Sequence, residues 1–79
     1  MKKRARVKEY TVIVMKESGR GYWVQVPALP GCTTTGDTID EALRHAKEAI
    51  ESHIMALEED GQEIPKETAS LVGKVKVGV

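Results

Sequence analysis

Between Thr38 and Gly61 the chain carries one long amphipathic stripe, and this stripe dictates what the rest can be. Ile39, Ala42, Leu43, Ala46, Ala49, Ile50, His53, Ile54 and Leu57 recur at spacings of three and four. That spacing places them on one face of an α-helix roughly five turns long. The run Thr38-Ile39-Asp40-Glu41 opens it as a capping box. The Thr38 hydroxyl accepts from the Glu41 N–H, and the Glu41 carboxylate reaches back to the Thr38 N–H. Asp40 and Glu41 also suit the positive end of the helix dipole. Gly61 is a natural stop. The spacing therefore predicts a helix over residues 38–60, with Thr38 and Glu41 as its structural N-cap pair. Alanines at 42, 46 and 49 let it approach a sheet closely.

The remainder reads as strands. In residues 7–16, Tyr10, Val12 and Val14 alternate with Thr11, Ile13 and Met15. β-branched residues dominate without Gly or Pro, and both faces are largely apolar, which predicts cover on both sides. Glu17-Ser18-Gly19-Arg20-Gly21 is a turn. A second strand over residues 22–27 places Tyr22, Val24 and Val26 on one face and Trp23 and Gln25 on the other, and the short connection makes an antiparallel hairpin. Pro27-Ala28-Leu29-Pro30-Gly31 breaks the ladder. Residues 32–35, Cys32 and three threonines, form a short third strand. After a connector containing Pro65, residues 71–78 alternate again: Leu71, Gly73, Val75 and Val77 against Val72, Lys74 and Lys76.

The element order is β-β-β-α-β, an α+β fold. A strand that returns through a helix usually lies parallel, by a right-handed crossover. The expectation is a four-stranded mixed sheet in the order 3-2-1-4 with the helix packed on one face. One helix cannot cover both faces. The open face carries either Thr11, Ile13, Met15 and Trp23 or Tyr10, Val12, Val14 and Tyr22, according to register. A second copy, in a dimer or tetramer, or a partner protein is expected to cover it.

Seventy-nine residues make a single domain spanning 1–79, which buries only ~60% of the surface its unfolded chain exposes. Twelve basic and twelve acidic residues cancel, which excludes a surface that grips nucleic acid all over. The charges are segregated. Lys2, Lys3, Arg4, Arg6 and Lys8 make a basic start, with residues 1–6 a flexible arm, whereas the stretch from Asp37 to Glu67 is strongly acidic. A rival reading uses that arm, with Tyr22 or Trp23 stacking on bases, to bind nucleic acid. It predicts binding that falls steeply with salt. The lone Cys32 excludes an intrachain disulfide. No apolar run approaches the ~20 residues of a membrane span and no signal-peptide pattern is present, so a cytoplasmic protein is expected.

Catalytic constellations are absent. Two-metal nucleases need clustered carboxylates, and the middle of the first strand, Tyr10-Thr11-Val12-Ile13-Val14, has none. Glu41, Glu48 and Glu51 read as a solvated helix face. Nothing brings a base to Cys32. His45 and His53 are about two turns apart, ~12 Å, too far to chelate one metal; His45 reads as solvent-facing and His53 as lying at the edge of the stripe. No catalytic residue, metal or cofactor is expected. The candidate partner-binding residues are Trp23, the sole tryptophan, and Leu29 and Pro30 in the bend, with Leu29 held between two prolines. That bend is equally readable as a recognition loop or as a rigid turn into strand three.

The ordered set Gly21-Tyr22-Trp23-Val24-Gln25-Val26-Pro27-Ala28-Leu29-Pro30-Gly31-Cys32, Gly36-Asp37-Thr38, Glu41-Ala42, Ala46, Ala49-Ile50 and Glu59-Asp60-Gly61-Gln62 with Ile64-Pro65 resembles the HicB-like antitoxin family. The resemblance spans roughly residues 9–65. It implies a truncated ribonuclease-H-like fold and a non-catalytic interaction module, an antitoxin that binds and masks a small HicA-type RNA-cleaving toxin. Many members continue into a DNA-binding domain; none is expected within residues 1–79, so direct nucleic-acid contact is not expected.

Overall fold

The computed structural model describes residues 8–67 and 73–79. Three strands, β1 (Ile13–Lys16), β2 (Tyr22–Gln25) and β3 (Thr33–Gly36), precede one helix, α1 (Ile39–Glu59). The strands form an antiparallel sheet in the order β1-β2-β3. Ile13 pairs with Gln25 and Met15 with Trp23; Trp23 in turn pairs with Thr35. The class is α+β, as expected. A fourth strand over residues 71–78 is not seen: residues 71 and 72 lie outside the described residues, and residues 73–79 join no strand.

The strands are shorter than the alternation predicts. Residues 8–12 carry apolar alternation yet do not join β1, because β2 turns away opposite them. The Val26 N–H donates to the Cys32 carbonyl instead (3.1 Å), and Pro27, the next residue, has no N–H to give. The second strand accordingly ends at Gln25 rather than residue 27, and β3 runs over 33–36 rather than 32–35. Residue 7 and the basic arm over 1–6 lie outside the described residues.

Two back-to-back turns build the bend. Leu29 N–H donates to Val26 O (3.0 Å) and Cys32 N–H to Leu29 O (2.9 Å). The second turn has Pro30 and then Gly31, whose φ of 83° is the conformation that the third position of a type II turn demands. The bend folds inward, and Leu29 is fully buried.

Among the described residues the core has two small clusters. Val24 packs with Ala42 and Ala46, flanked by Val12, Val14 and Tyr22. Val26, Leu29 and Cys32 form the other, with Tyr10, Val12, Ala49 and Ile50 against them. Val12 touches both. The helix therefore lies on the Tyr22–Val24–Val26 face, which settles the register left open by alternation. Ala42 and Ala46 are the helix residues that bury completely; the larger Ile39 and Leu43 remain 49% and 42% exposed. Gly36 explains the close approach. A Cβ there would lie 2.4 Å from the Ala42 nitrogen and 2.6 Å from its Cα.

Both helix ends are finished. Thr38 Oγ1 accepts from the Glu41 N–H at 3.1 Å. The returning arm of the box differs from the expected one: Glu41 Oε1 takes the N–H of Asp37, at 2.6 Å, not that of Thr38. At the other end Gln62 N–H bonds Leu57 O and Gly61 N–H bonds Glu58 O, with Gly61 at φ 70°, a Schellman closure.

Candidate interaction surface

Strand alternation sends Ile13, Met15, Trp23, Gln25, Thr33 and Thr35 to the face opposite α1. Trp23 sits at its centre, with Met15 and Thr35 as its cross-strand neighbours. Trp23 and Ile13 are half-buried, while Met15 is 38% exposed. The threonines and Gln25 on either side are exposed. The result is a small apolar centre inside a neutral polar border, the anatomy of a protein-binding patch.

The other two predicted anchors part company. Pro30 is exposed on the bend. Leu29 is at 0% exposure and belongs to the core, which overturns its assignment as a displayed anchor. Flanking prolines suggested display, but the paired turns aim the side chain inward. Tyr22, the alternative aromatic, lies on the helix side, and its ring is capped by Lys16 Nζ at 5.8 Å from the centroid. That contact is a cation–π arrangement.

A groove of about 390 Å³ runs beside β3, lined by Glu17, Arg20, Tyr22, Asp37, Glu41 and His45 among others. Its chemistry is largely committed to holding the fold. Glu41 serves the helix start and lies 3.8 Å from Arg44. His45 is not solvent-facing as expected: it is half-buried, with Nδ1 2.7 Å from the Thr35 carbonyl oxygen. This contact engages a carbonyl on the exposed edge of β3, which blunts that edge against strand addition. Helix periodicity alone gives no sign of it, because the partner is a backbone atom of another element. Among the described residues, no group of three or more His, Cys, Asp or Glu is placed to hold a metal ion. The Cys32 thiol is buried, and that burial raises its pKa, the condition of an unreactive structural thiol.

After the helix the chain returns beside the segment that leads into β1. Tyr10 Oη donates to the Pro65 carbonyl at 2.7 Å. Thr11 gives both its N–H (2.9 Å) and its hydroxyl (2.6 Å) to the Glu67 carboxylate. Those two bonds hold the Glu67 pKa below the ordinary carboxylate value. Burial, and then the nearby Glu67 charge, push the Tyr10 phenol up.

Among the described residues, one sheet, one helix on one face and a partly apolar opposite face define an α+β domain. The comparisons with known proteins agree. Residues 10–76 match the model of the HicB_like antitoxin of bacterial toxin-antitoxin system. A UPF0150 protein of Thermoplasma acidophilum is 48% identical over 61 residues, covering 77% of this chain and 88% of that protein. One from Synechocystis is 42% identical over 62 residues, covering 78% of each. Among solved structures, the N-terminal domain of Burkholderia pseudomallei antitoxin HicB superposes with a TM-score of 0.67 at 36% identity, covering 75% of this chain and 69% of that one. The chain belongs to the HicB-like antitoxin family. Among the described residues, no helix is long and apolar enough to cross a membrane.

Proposed function

We propose that this chain is a non-catalytic antitoxin that binds and masks a HicA-type RNA-cleaving toxin in the cytoplasm, through the sheet face opposite α1. Trp23 is the anchor and Pro30 lies at the rim. The observation that carries the reading is the position of Trp23, the sole tryptophan, on the face that α1 leaves open, paired with Met15. Tryptophans so placed dominate interface energetics. The acidic stretch from Asp37 to Glu67 would steer a basic, RNA-binding partner. Trp23→Ala should weaken the complex with such a toxin by at least ~2 kcal/mol, about thirtyfold in Kd, while the melting temperature stays near wild type. Calorimetric titration with an unchanged Kd would refute the choice of surface.

The same reading includes a truncated ribonuclease-H-like sheet in the order 3-2-1-4. The Tyr10–Pro65 and Thr11–Glu67 bonds support it, because they hold the connector beside the chain that leads into β1. It also includes self-association, through an edge strand rather than through the toxin-binding face.

A further inference from the structure

Val12, Ile13 and Val14 are β-branched, the side chains that strands favour. Met15, the next residue, ends that run although it lies within β1. Strand propensity does not call for a methionine here. Its place gives it a use: Met15 stands on the open sheet face as the cross-strand partner of Trp23, and a long unbranched thioether adapts its shape to the protein that covers it. The same thioether carries a chemistry that leucine or isoleucine lacks.

Among the described residues, sulfur occurs at Cys32, Met15 and Met55. Cys32 is buried and burial raises its thiol pKa, so neither access nor thiolate character favours its oxidation. Met55 is 55% exposed on α1, and α1 packs on the side of the sheet away from Trp23. Met15 is 38% exposed and belongs to the apolar centre with Ile13 and Trp23. An oxidant therefore reaches two of these three sulfurs, and one of the two sits in the surface read above as toxin-binding.

We propose that Met15 is an oxidation site that switches this face off: a peroxide converts its thioether to the sulfoxide, and the oxidised free chain no longer captures toxin. This rests on the reading of the open face and adds its regulation. A sulfur lone pair attacks one peroxide oxygen, so that an S–O bond forms and the O–O bond breaks. The sulfur gives up two electrons, and the proton of the transferred hydroxyl leaves with the departing hydroxide as water. The product holds a strong acceptor oxygen where the thioether was apolar. A partner that covers that oxygen strips it of water, which costs affinity unless a donor meets it. Methionine sulfoxide reductases return the thioether, so the switch is reversible.

The test uses the full chain and the toxin of the Trp23→Ala titration. In the free chain, hydrogen peroxide should oxidise Met15 at a rate within ~5-fold of Met55, read by peptide mass spectrometry, because susceptibility follows exposure. Helical circular dichroism should stay intact. The oxidised chain should bind toxin at least ~10-fold more weakly, and sulfoxide reductase should restore the affinity. Met15→Leu conserves volume; it should bind like wild type and keep its affinity after peroxide, whereas Met55→Leu should still lose it. Saturating toxin should slow Met15 oxidation at least ~10-fold and leave Met55 unchanged. A Met15 that stays reduced while Met55 is consumed would overturn the site, as would a Met15→Leu chain that peroxide still inactivates. A helix lost on oxidation would make the effect structural and overturn the switch. Weak binding by Trp23→Ala beside full affinity in the Met15 sulfoxide would leave the toxin-binding face standing and remove its regulation; full affinity in both would remove both.

Discussion

Gly36→Ala tests the close seating of α1 on β3. Gly36 ends β3 and faces the first turn of α1, where a Cβ would lie 2.4 Å from the Ala42 nitrogen, 2.6 Å from its Cα and 3.0 Å from the Glu41 carbonyl carbon. Non-bonded carbon contacts settle near 3.5–4 Å, so strand and helix start must separate by about 1 Å. The obstructing atoms are backbone, so no side chain can rotate away. Separation lifts Ala42 from Val24, both at zero exposure. It also strains the Thr38 and Glu41 bonds that begin the helix. Forced overpacking costs about 1–3 kcal/mol, and the coupling to the cap puts this site at the upper end. A domain of this size has roughly 4–12 kcal/mol in all, so a quarter or more of the stability is at stake. At about 4–8 °C per kcal/mol, Tm should fall by at least ~10 °C. The control is Gly73→Ala, where nothing lies within 4 Å and no change is expected. Thermal melts followed by circular dichroism decide it. A Gly36→Ala melting temperature within ~2 °C of wild type would mean that the helix does not seat on β3 as described.

Three further outcomes are expected. Thr38→Ala removes the 3.1 Å bond to the Glu41 N–H and should cost about 1 kcal/mol; Thr38→Ser should restore it in the same melts. Tyr10→Phe strips the 2.7 Å bond to Pro65 and leaves a carbonyl without its donor, for a loss of about 1 kcal/mol by urea titration. Glu67 has a folded pKa lowered by its two bonds from Thr11. Its hold on Thr11 is therefore complete above the ordinary carboxylate range and lost as pH falls through the depressed value. The Thr11 amide proton resonance should titrate in that acidic window, and a Thr11 amide insensitive to pH there would contradict the contact.

The helix was legible almost residue by residue, because its stripe, cap and stop are local signals. The hairpin and the third strand were legible as elements, but their ends were not. Where β1 begins depends on Val26 turning to Cys32, a choice made by the bend and not by residues 8–12. Leu29 was misread for a related reason: turn residues announce that the chain reverses, not which way the apolar residue between them points. Alternation separated Trp23 from Tyr22 but could not say which faced the helix. Packing of Val24 against Ala42 and Ala46 decides it. The His45–Thr35 and Thr11–Glu67 contacts join residues without a local relation, and composition carried no trace of either.

The small residues that seat the helix also explain why so much apolar surface is left over. Ala42 and Ala46 bring α1 close to β2, and Gly36 brings it close to β3, so among the described residues Val24, Val26 and Leu29 are the larger side chains that are fully buried. On a helical wheel Ile39 and Leu43 fall on the flank opposite Glu41 and His45, the pair that faces the β3 end. They therefore overhang the β1 side and stay about half exposed. Trp23 and Met15 occupy the other face of the sheet, and the valines of residues 73–79 lie in solvent. A thin core closed by small residues gains close backbone packing but has little apolar area to spend on its own stability. Apolar groups are instead left on separate surfaces: the sheet face around Trp23 and Met15, the flank of α1 at Ile39 and Leu43, and the valines of residues 73–79. The apolar area left outside the core is thus a consequence of the small side chains that let α1 sit close to the sheet.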